Sequence, residues 1–292
     1  MPYPRLQCTI SQPVAVSGYG FWSGVPVRVE FRPAAAGRGV TFVRDDLGSQ
    51  ACVPARVEYR LDVPRRTNLR LGDVQVDMVE HILAALAGLQ IDNCEVGVDA
   101  VEMPGCDGSS LAFVEALQSV GTVQLDEPAC ELEITETIRL SRGESWIEAR
   151  PASRGEFRVE FQLDYPRDPV IGRQSVELEV TSETFCQELA NCRTFVLERE
   201  ARMMVQQGLG THVSPQDLLV FNEQGPIDNA LHFENECARH KALDLVGDLA
   251  LTGCEIVGQV IAYRSSHMLN AALARELLSR STAGVTPLRA SA

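Results

Sequence analysis

Glu30-Phe31-Arg32-Pro33-Ala34 runs on to Gly39-Val40-Thr41-Phe42, and the phrase returns as Glu148-Ala149-Arg150-Pro151-Ala152 running on to Val159-Glu160-Phe161. Each copy reads as a strand, an Arg-Pro-Ala turn and a second strand. The surroundings repeat as well. In the first half, Val25 to Phe31 alternates apolar and polar residues as a half-buried strand does, and Gly39 to Arg44 gives a second strand. Val79 to Leu89 has helical spacing, Cys94 to Val98 returns to strand, and Ser109 to Val120 reads as a helix. Thr122 to Pro128 reads as a connector. Beyond it, Glu131 to Leu140, Trp146 to Arg150 and Glu156 to Leu163 are strand-like, and Glu183 to Glu200 and Asn235 to Leu251 are helical. Cys254 to Tyr263 is an apolar strand, Met268 to Ser279 a last helix, and the final dozen residues a loose tail. The expected fold is α+β, with two similar domains at 1–125 and 129–292, each a β-sheet layered against helices. Clefts between domains are common binding places, so the site is expected at their interface.

Composition narrows the function classes. The 292 residues are 45% hydrophobic and 23% charged, ordinary for a globular protein. No apolar run is long enough to span a bilayer, and Met1-Pro2-Tyr3-Pro4-Arg5 lacks the apolar core of a secretory signal, so the expected compartment is the cytoplasm. Nine cysteines, with no CxxC pair, read as buried thiols in a reducing compartment rather than as a disulfide framework. The net charge of −14 argues against nucleic acid as a partner, but leaves room for an anionic small molecule at a local basic patch.

The five histidines point to the chemistry. His240, Asp244 and Asp248 are spaced by four, so on a helix they form one polar stripe. Imidazole and carboxylate at that spacing can hold one zinc ion with a third ligand from elsewhere; the alternative is a solvated helix face. In Asp77-Met78-Val79-Glu80-His81, His81 is a candidate third ligand and Glu80 a candidate general base for a metal-activated water. Asp77 and Glu80 also fit a capping box. His267 follows an apolar strand, where it suits a general acid or oxyanion stabiliser with Asp248 as partner, or else a surface loop. His212 and His232 read as structural or surface residues. P-loop, GxGxxG, GxSxG and HExxH patterns are absent, and Gly18-Tyr19-Gly20-Phe21-Trp22-Ser23-Gly24 reads as a turn or the edge of a cleft.

Taken together, these motifs resemble the UDP-3-O-acyl-N-acetylglucosamine deacetylases of lipid A biosynthesis, from near residue 10 to about residue 279. The specific parts are Val79 to Leu89 with Ile91-Asp92-Asn93, Met103-Pro104 with Asp107-Gly108-Ser109, and Arg193-Thr194-Phe195. Arg239-His240-Lys241, Leu243-Asp244, Gly247-Asp248-Leu249, Gly258, Ala262-Tyr263, Ser266-His267 and Asn270 complete the set. The resemblance implies zinc held by His81, His240 and Asp244, with Fe2+ as an alternative metal. It implies Glu80 as general base, His267 oriented by Asp248 as general acid or oxyanion partner, and Thr194 on the oxyanion. Phe195 and Lys241 would hold the sugar nucleotide. Met203, Met204, Leu209 and Val213 are candidates for an apolar acyl passage, with core packing as the other reading. Glu80 and His81 would come from the first domain; Thr194, His240, Asp244 and His267 from the second. The implied activity is a zinc metalloamidase that releases acetate from an acylated UDP-amino sugar, acting as a monomer.

The sequence departs from the family's pattern in places. Trp22 stands where a His is usual in Gly-x-Gly-x-His, Met78 where a Thr is common, and Asp168-Pro169 where His-Pro is usual. The segment Gly208 to Pro215 also differs. These departures keep open a second reading, the same metal chemistry on another N-acetyl sugar, and a third, a non-catalytic binding homologue.

Overall fold

The repeated phrase falls at corresponding places in two sheets of the same design. A computed structural model describes residues 5–153 and 155–281. The first half runs β1 (Leu6–Ile10), β2 (Val14–Tyr19), β3 (Pro26–Pro33), β4 (Val40–Arg44), β5 (Cys52–Pro54), β6 (Arg60–Leu61), β7 (Asn68–Leu71) and β8 (Val74–Val76). Helix α1 (Glu80–Gly88), β9 (Cys94–Val98), helix α2 (Leu111–Val120) and β10 (Thr122–Pro128) follow. The second half runs β11 (Glu131–Glu133), β12 (Ile138–Arg142), β13 (Ser145–Arg150), β14 (Phe157–Tyr165) and β15 (Gly172–Glu179). After it come α3 (Ser182–Thr184), β16 (Phe195–Leu197), α4 (Glu198–Gln206), β17 (Leu219–Asn222), β18 (Gly225–Pro226), α5 (Glu236–Leu249), β19 (Glu255–Tyr263) and α6 (His267–Arg280).

The main sheet of the first half has the order β2-β3-β9-β4-β5, and that of the second β12-β13-β19-β14-β15. Along those orders each has one parallel pair, β4 with β9 and β14 with β19, and the second sheet adds β11, also parallel to β19. In each, one helix precedes the central strand (α1 before β9, α5 before β19) and one follows it (α2, α6). Arg32-Pro33 and Arg150-Pro151 therefore close topologically matching strands, as their shared turn chemistry predicts. The alternation also holds: Val27, Val29 and Phe31 are buried on β3, and Val159, Phe161 and Leu163 on β14.

Several elements differ from the sequence reading. Thr122–Pro128 is a strand, antiparallel to β1 with Val123 opposite Thr9, so the 125 boundary lies inside it. Its side chains are largely exposed, so the usual burial pattern of a strand was missing. Glu131 to Leu140 is two strands, because β11 pairs with β19 while β12 pairs with β13. The expected helix Glu183 to Glu200 is broken. A π-type turn at Phe185–Leu189 follows α3, and an irregular stretch leads to β16 before α4 begins. Asp77 does not cap α1. The N-cap is Val79, without a side-chain bond, and Asp77 instead accepts from Gln75 Nε2 at 2.8 Å. Cys130 and Cys254 form a disulfide, against the expectation of free thiols. The parallel register of β11 with β19, Glu131 opposite Glu255, sets the preceding cysteines side by side. The other seven cysteines are free. The final tail lies mostly outside the described residues.

The two halves meet through α1 and α5. Eight of the nine α1 residues and twelve of the fourteen α5 residues are buried. Such helices are held by their surroundings rather than by propensity. Leu83, Leu86, Leu243 and Leu249 each contribute roughly 1.5–3 kcal/mol by burial. The contact is close because α5 carries Gly247 there. A Cβ at that position would overlap the Glu80 carbonyl oxygen and lie 3.2 Å from Ala84 N. Gly247→Ala gains about 1 kcal/mol of helix propensity but forces the helices apart. We expect a net loss of roughly 1–3 kcal/mol in urea denaturation, with weakened binding of divalent metal in the same variant.

Candidate metal centre

Each side chain of the centre is positioned by an identifiable element. His81 lies in the first turn of α1, and its backbone carbonyl accepts from Ser110 Oγ at 2.9 Å. His240 and Asp244 are one turn apart on α5. The His240 Nδ1 is bonded to the Cys192 carbonyl at 3.1 Å, which leaves its Nε2 facing the centre. His81 Nε2 lies 3.5 Å from Asp244 Oδ1, and His240 Nε2 lies 3.5 Å from Asp244 Oδ2. The ligand atoms of His81, His240 and Asp244 all lie within 4.8 Å of one another, the only such buried group among the described residues.

The group suits a divalent cation. Asp244 Oδ1 is buried and has no hydrogen-bond partner, which is costly unless a cation takes it. Burial pushes the His240 imidazole down to about 3, so the ring is neutral and able to ligate. Burial would raise the Asp244 carboxyl, but the neighbouring imidazoles and Lys241 hold it well below the usual range. Two imidazoles and one carboxylate are the donor set of many catalytic zinc sites. The polar stripe read from sequence therefore faces the interface of the halves and not solvent.

Around this group stand the other expected residues. The Glu80 carboxylate is 3% exposed, and burial raises its pKa above the ordinary value. His267, the first residue of α6, places Nε2 3.8 Å from Asp244 Oδ2 and Nδ1 2.9 Å from Asp248 Oδ2. Burial opposes its protonation, but Asp248 and Asp244 prevail and raise it to about 9. Lys241 Nζ donates to Asp244 Oδ2 at 2.7 Å and lies 5.7 Å from the Phe195 ring. Thr194 is fixed by its N–H to the Gly108 carbonyl at 2.8 Å. A Cβ on Gly108, at φ +80°, would meet the Thr194 methyl. The Asp107-Gly108-Ser109 motif thus supports Thr194 and, through the next residue, His81.

Two cavities meet beside the centre. One, of about 360 Å³, is lined by Phe21, Trp22, Phe195, Met204, Leu209 and Val213 among others, and reaches Thr194, Lys241 and His267. Leu209 lies where expected. Met203 does not: it is 52% exposed, and Met204 takes the place in the wall. The glycine-rich segment forms a cleft edge, with Phe21 and Trp22 in the wall, and Arg66 sits 5.2 Å above the Trp22 ring. The other cavity, of about 700 Å³, is polar and carries Arg167, Arg264 and Asp164. Tyr165, Lys241 and Ser265 belong to both. Asp168, where the family's pattern has a His, pairs with Arg199 at 2.7 Å. His212 and His232 are exposed and outside the centre.

The sequence model of the UDP-3-O-acyl N-acetylglycosamine deacetylases matches residues 7–279. The chain belongs to that family. UDP-3-O-acyl-N-acetylglucosamine deacetylases of Brucella melitensis biotype 2 (strain ATCC 23457) and Brucella ovis (strain ATCC 25840 / 63/290 / NCTC 10512) are each 38% identical to it. Each match runs over 279 residues, 95% of this chain and 96% of the relative. The family is metal-dependent, and the centre above is where this chain has the residues for a metal. No helix among the described residues is long and apolar enough to cross a membrane.

The reading from sequence missed residues that only the folded chain brings in. Thr67, Tyr165 and Arg264 lie at the site or its walls, yet sit in stretches without a recognisable local pattern. Arg193, quoted but given no role, holds the loop that carries Thr194. Its guanidinium bonds Glu236 Oε1 at 2.8 Å, Asn229 Oδ1 at 2.8 Å and the Ala230 carbonyl at 2.7 Å. The Glu236 side chain is fully buried. Arg193→Ala would leave that carboxylate uncompensated, and we expect a loss of about 3–5 kcal/mol in urea denaturation.

Proposed function

We propose that this protein removes the N-acetyl group from a UDP-3-O-acyl-N-acetylglucosamine, releasing acetate and the free 2-amino sugar, a step of lipid A biosynthesis. One observation carries the reading. A buried His-His-Asp group, flanked by a carboxylate and a protonated imidazole, lies beside an apolar and a polar cavity that share Tyr165, Lys241 and Ser265. An acyl sugar nucleotide has an apolar chain for the first cavity and a polar, anionic part that Lys241, Arg167 and Arg264 can receive in the second. Family membership and the names of the relatives support the same substrate.

His81, His240 and Asp244 would hold the metal, for which zinc suits the donor set and Fe2+ is an alternative. When bound, it supplies Lewis acidity for the acetamide carbonyl and lowers the pKa of water. Glu80 takes the proton of the attacking water as the C–O bond forms. Thr194 and protonated His267 donate to the oxyanion that develops on the former carbonyl. Asp248 keeps the imidazole oriented and charged. A proton delivered to the nitrogen then lets the C–N bond break, giving amine and acetate. Phe195 and Lys241 face the sugar nucleotide, and Leu209, with Met204 beside it, faces the acyl chain. The two halves act as two domains with the site between them. The protein works as a cytoplasmic monomer.

The test is acetate release from UDP-3-O-acyl-N-acetylglucosamine by metal-loaded protein, before and after chelation. We expect metal-dependent turnover that falls by a factor of about 100 to 10,000 in Glu80→Ala, while the variant still binds its metal. No turnover of this sugar with tightly bound metal would sink the substrate assignment. Turnover of a simpler N-acetyl sugar in its place would favour the second substrate reading, with Trp22 as the first residue to exchange. A separate measurement addresses the ligands. His240→Ala and Asp244→Ala should each lose metal on dialysis, and retention of a full equivalent by both would refute the ligand set.

A further inference from the structure

Thr67 is fully buried in the connection between β6 and β7, and it spends every polar group it has on the site. Its N–H donates to Glu80 Oε2 at 3.0 Å. Its carbonyl accepts from the N–H of Val79, the N-cap of α1, at 3.1 Å. Its hydroxyl crosses to the other half and donates to Asp248 Oδ1 at 2.6 Å. The other Asp248 oxygen is occupied by His267 Nδ1 at 2.9 Å and Asn270 Nδ2 at 2.8 Å. Asn270 is itself oriented by Ser265 Oγ at 2.6 Å. An unbroken chain of hydrogen bonds therefore runs from Glu80 through Thr67 and Asp248 to His267.

We propose that Thr67 is a positioning residue for the reaction, holding the Glu80 carboxylate and the His267 imidazole in register across the interface of the two halves. The proposal rests on the deacetylase reading above. Its physical basis is the number of donors on Asp248. With three fixed donors the carboxylate has one orientation, and the His267 ring follows it. Without the hydroxyl, Oδ1 is a buried acceptor with no partner, which is costly and is relieved by rotation of the carboxylate. The rotation moves the imidazole, and small misplacements of reacting groups cost large factors in rate. A threonine suits the task because its branched Cβ leaves few rotamers, so the hydroxyl is held in place before substrate arrives.

The experiment compares Thr67→Ala with Thr67→Ser, both of which lose the methyl while only the serine keeps the hydroxyl. Metal-loaded proteins are assayed with UDP-3-O-acyl-N-acetylglucosamine, and the His267 Nδ1–H is followed by 15N–1H NMR. We expect kcat to fall roughly 10- to 100-fold in Thr67→Ala, with KM little changed and the metal retained. Thr67→Ser should restore most of the rate. In an Asp248→Ala background, Thr67→Ala should cause little further loss, because the two changes break one chain. Unchanged kcat in Thr67→Ala, equal impairment in Thr67→Ser, or fully additive losses would each overturn the proposal. A wild-type protein that fails to turn over this sugar would defeat the substrate reading and leave the ring signal to decide. There, an Nδ1–H whose slow exchange survives Thr67→Ala overturns the role, and one lost in Thr67→Ala and regained in Thr67→Ser supports it.

Discussion

The contact between α1 and α5 at Gly247 is the constraint on which the rest depends. His81 comes from one helix and His240 with Asp244 from the other, so a common metal requires a helix separation that only a residue without a side chain permits here. Helices normally pack 8–10 Å apart, at a distance set by the residues in the contact. The overlap of a Cβ with the Glu80 carbonyl means that the spacing of the centre is decided by the backbone of α5 as much as by its ligands. The surrounding packing then has one task, to keep two buried helices in register. The sheets do so from outside, with α5 lying on β14 and β15 and α6 bracing α5.

This arrangement gathers charge that the interior would otherwise reject. Glu80, Asp244 and Asp248 are at most 3% exposed. Against them stand Lys241 and the His267 imidazole, whose protonated form Asp248 and Asp244 favour. Arg60 adds a further cation close enough for the Asp248 and Glu80 charges to act on it, although burial still lowers its pKa. Its side chain is wholly buried, and Nε and Nη2 lack partners. Buried charges persist when paired and hydrogen-bonded, and removing one partner is more costly than never having had the pair. The acidic residues of the site therefore need the cations for folding as well as for chemistry. That linkage explains why so many buried polar groups of the chain, Thr67, Asn270 and Ser265 among them, converge on one place.

Much of the fold was legible because it follows local rules. The Arg-Pro-Ala turns, the alternation in β3 and β14 and the helical spacing of Val79 to Leu89 depend on neighbours in sequence, and they placed the two sheets and central helices correctly. The residues of the centre were legible for a similar reason, since His240 and Asp244 share a helix face and Glu80 adjoins His81. The failures share the opposite cause. The stretch Asn191 to Thr194 reads as helix, yet it leaves that conformation because the Cys192 carbonyl fixes His240 and Arg193 seals Glu236. Asp77 and Glu80 have capping-box spacing, but Glu80 is drawn into the interface. Met203 and Met204 are adjacent, and spacing alone did not choose which one faces the cavity. Thr67 had no signal at all, because its meaning lies in partners 13 and 181 residues away.

The matched design of the halves bears on why the site is where it is. Each sheet has its own helix before its central strand, and the centre lies where those two helices touch. Similar halves did not yield similar contributions. Helix α1 provides an adjacent Glu-His pair at its start, whereas α5 provides a stripe of His, Asp and Asp over two turns. Neither half holds all three of His81, His240 and Asp244, and polar groups of each find partners in the other. Asp248 is an example, because its Oδ1 accepts from the Thr67 hydroxyl of the first half. Where the two helices meet, Glu80, His81, His240, Asp244 and His267 are buried. Charges buried together in this way act on one another far more strongly than they would in water.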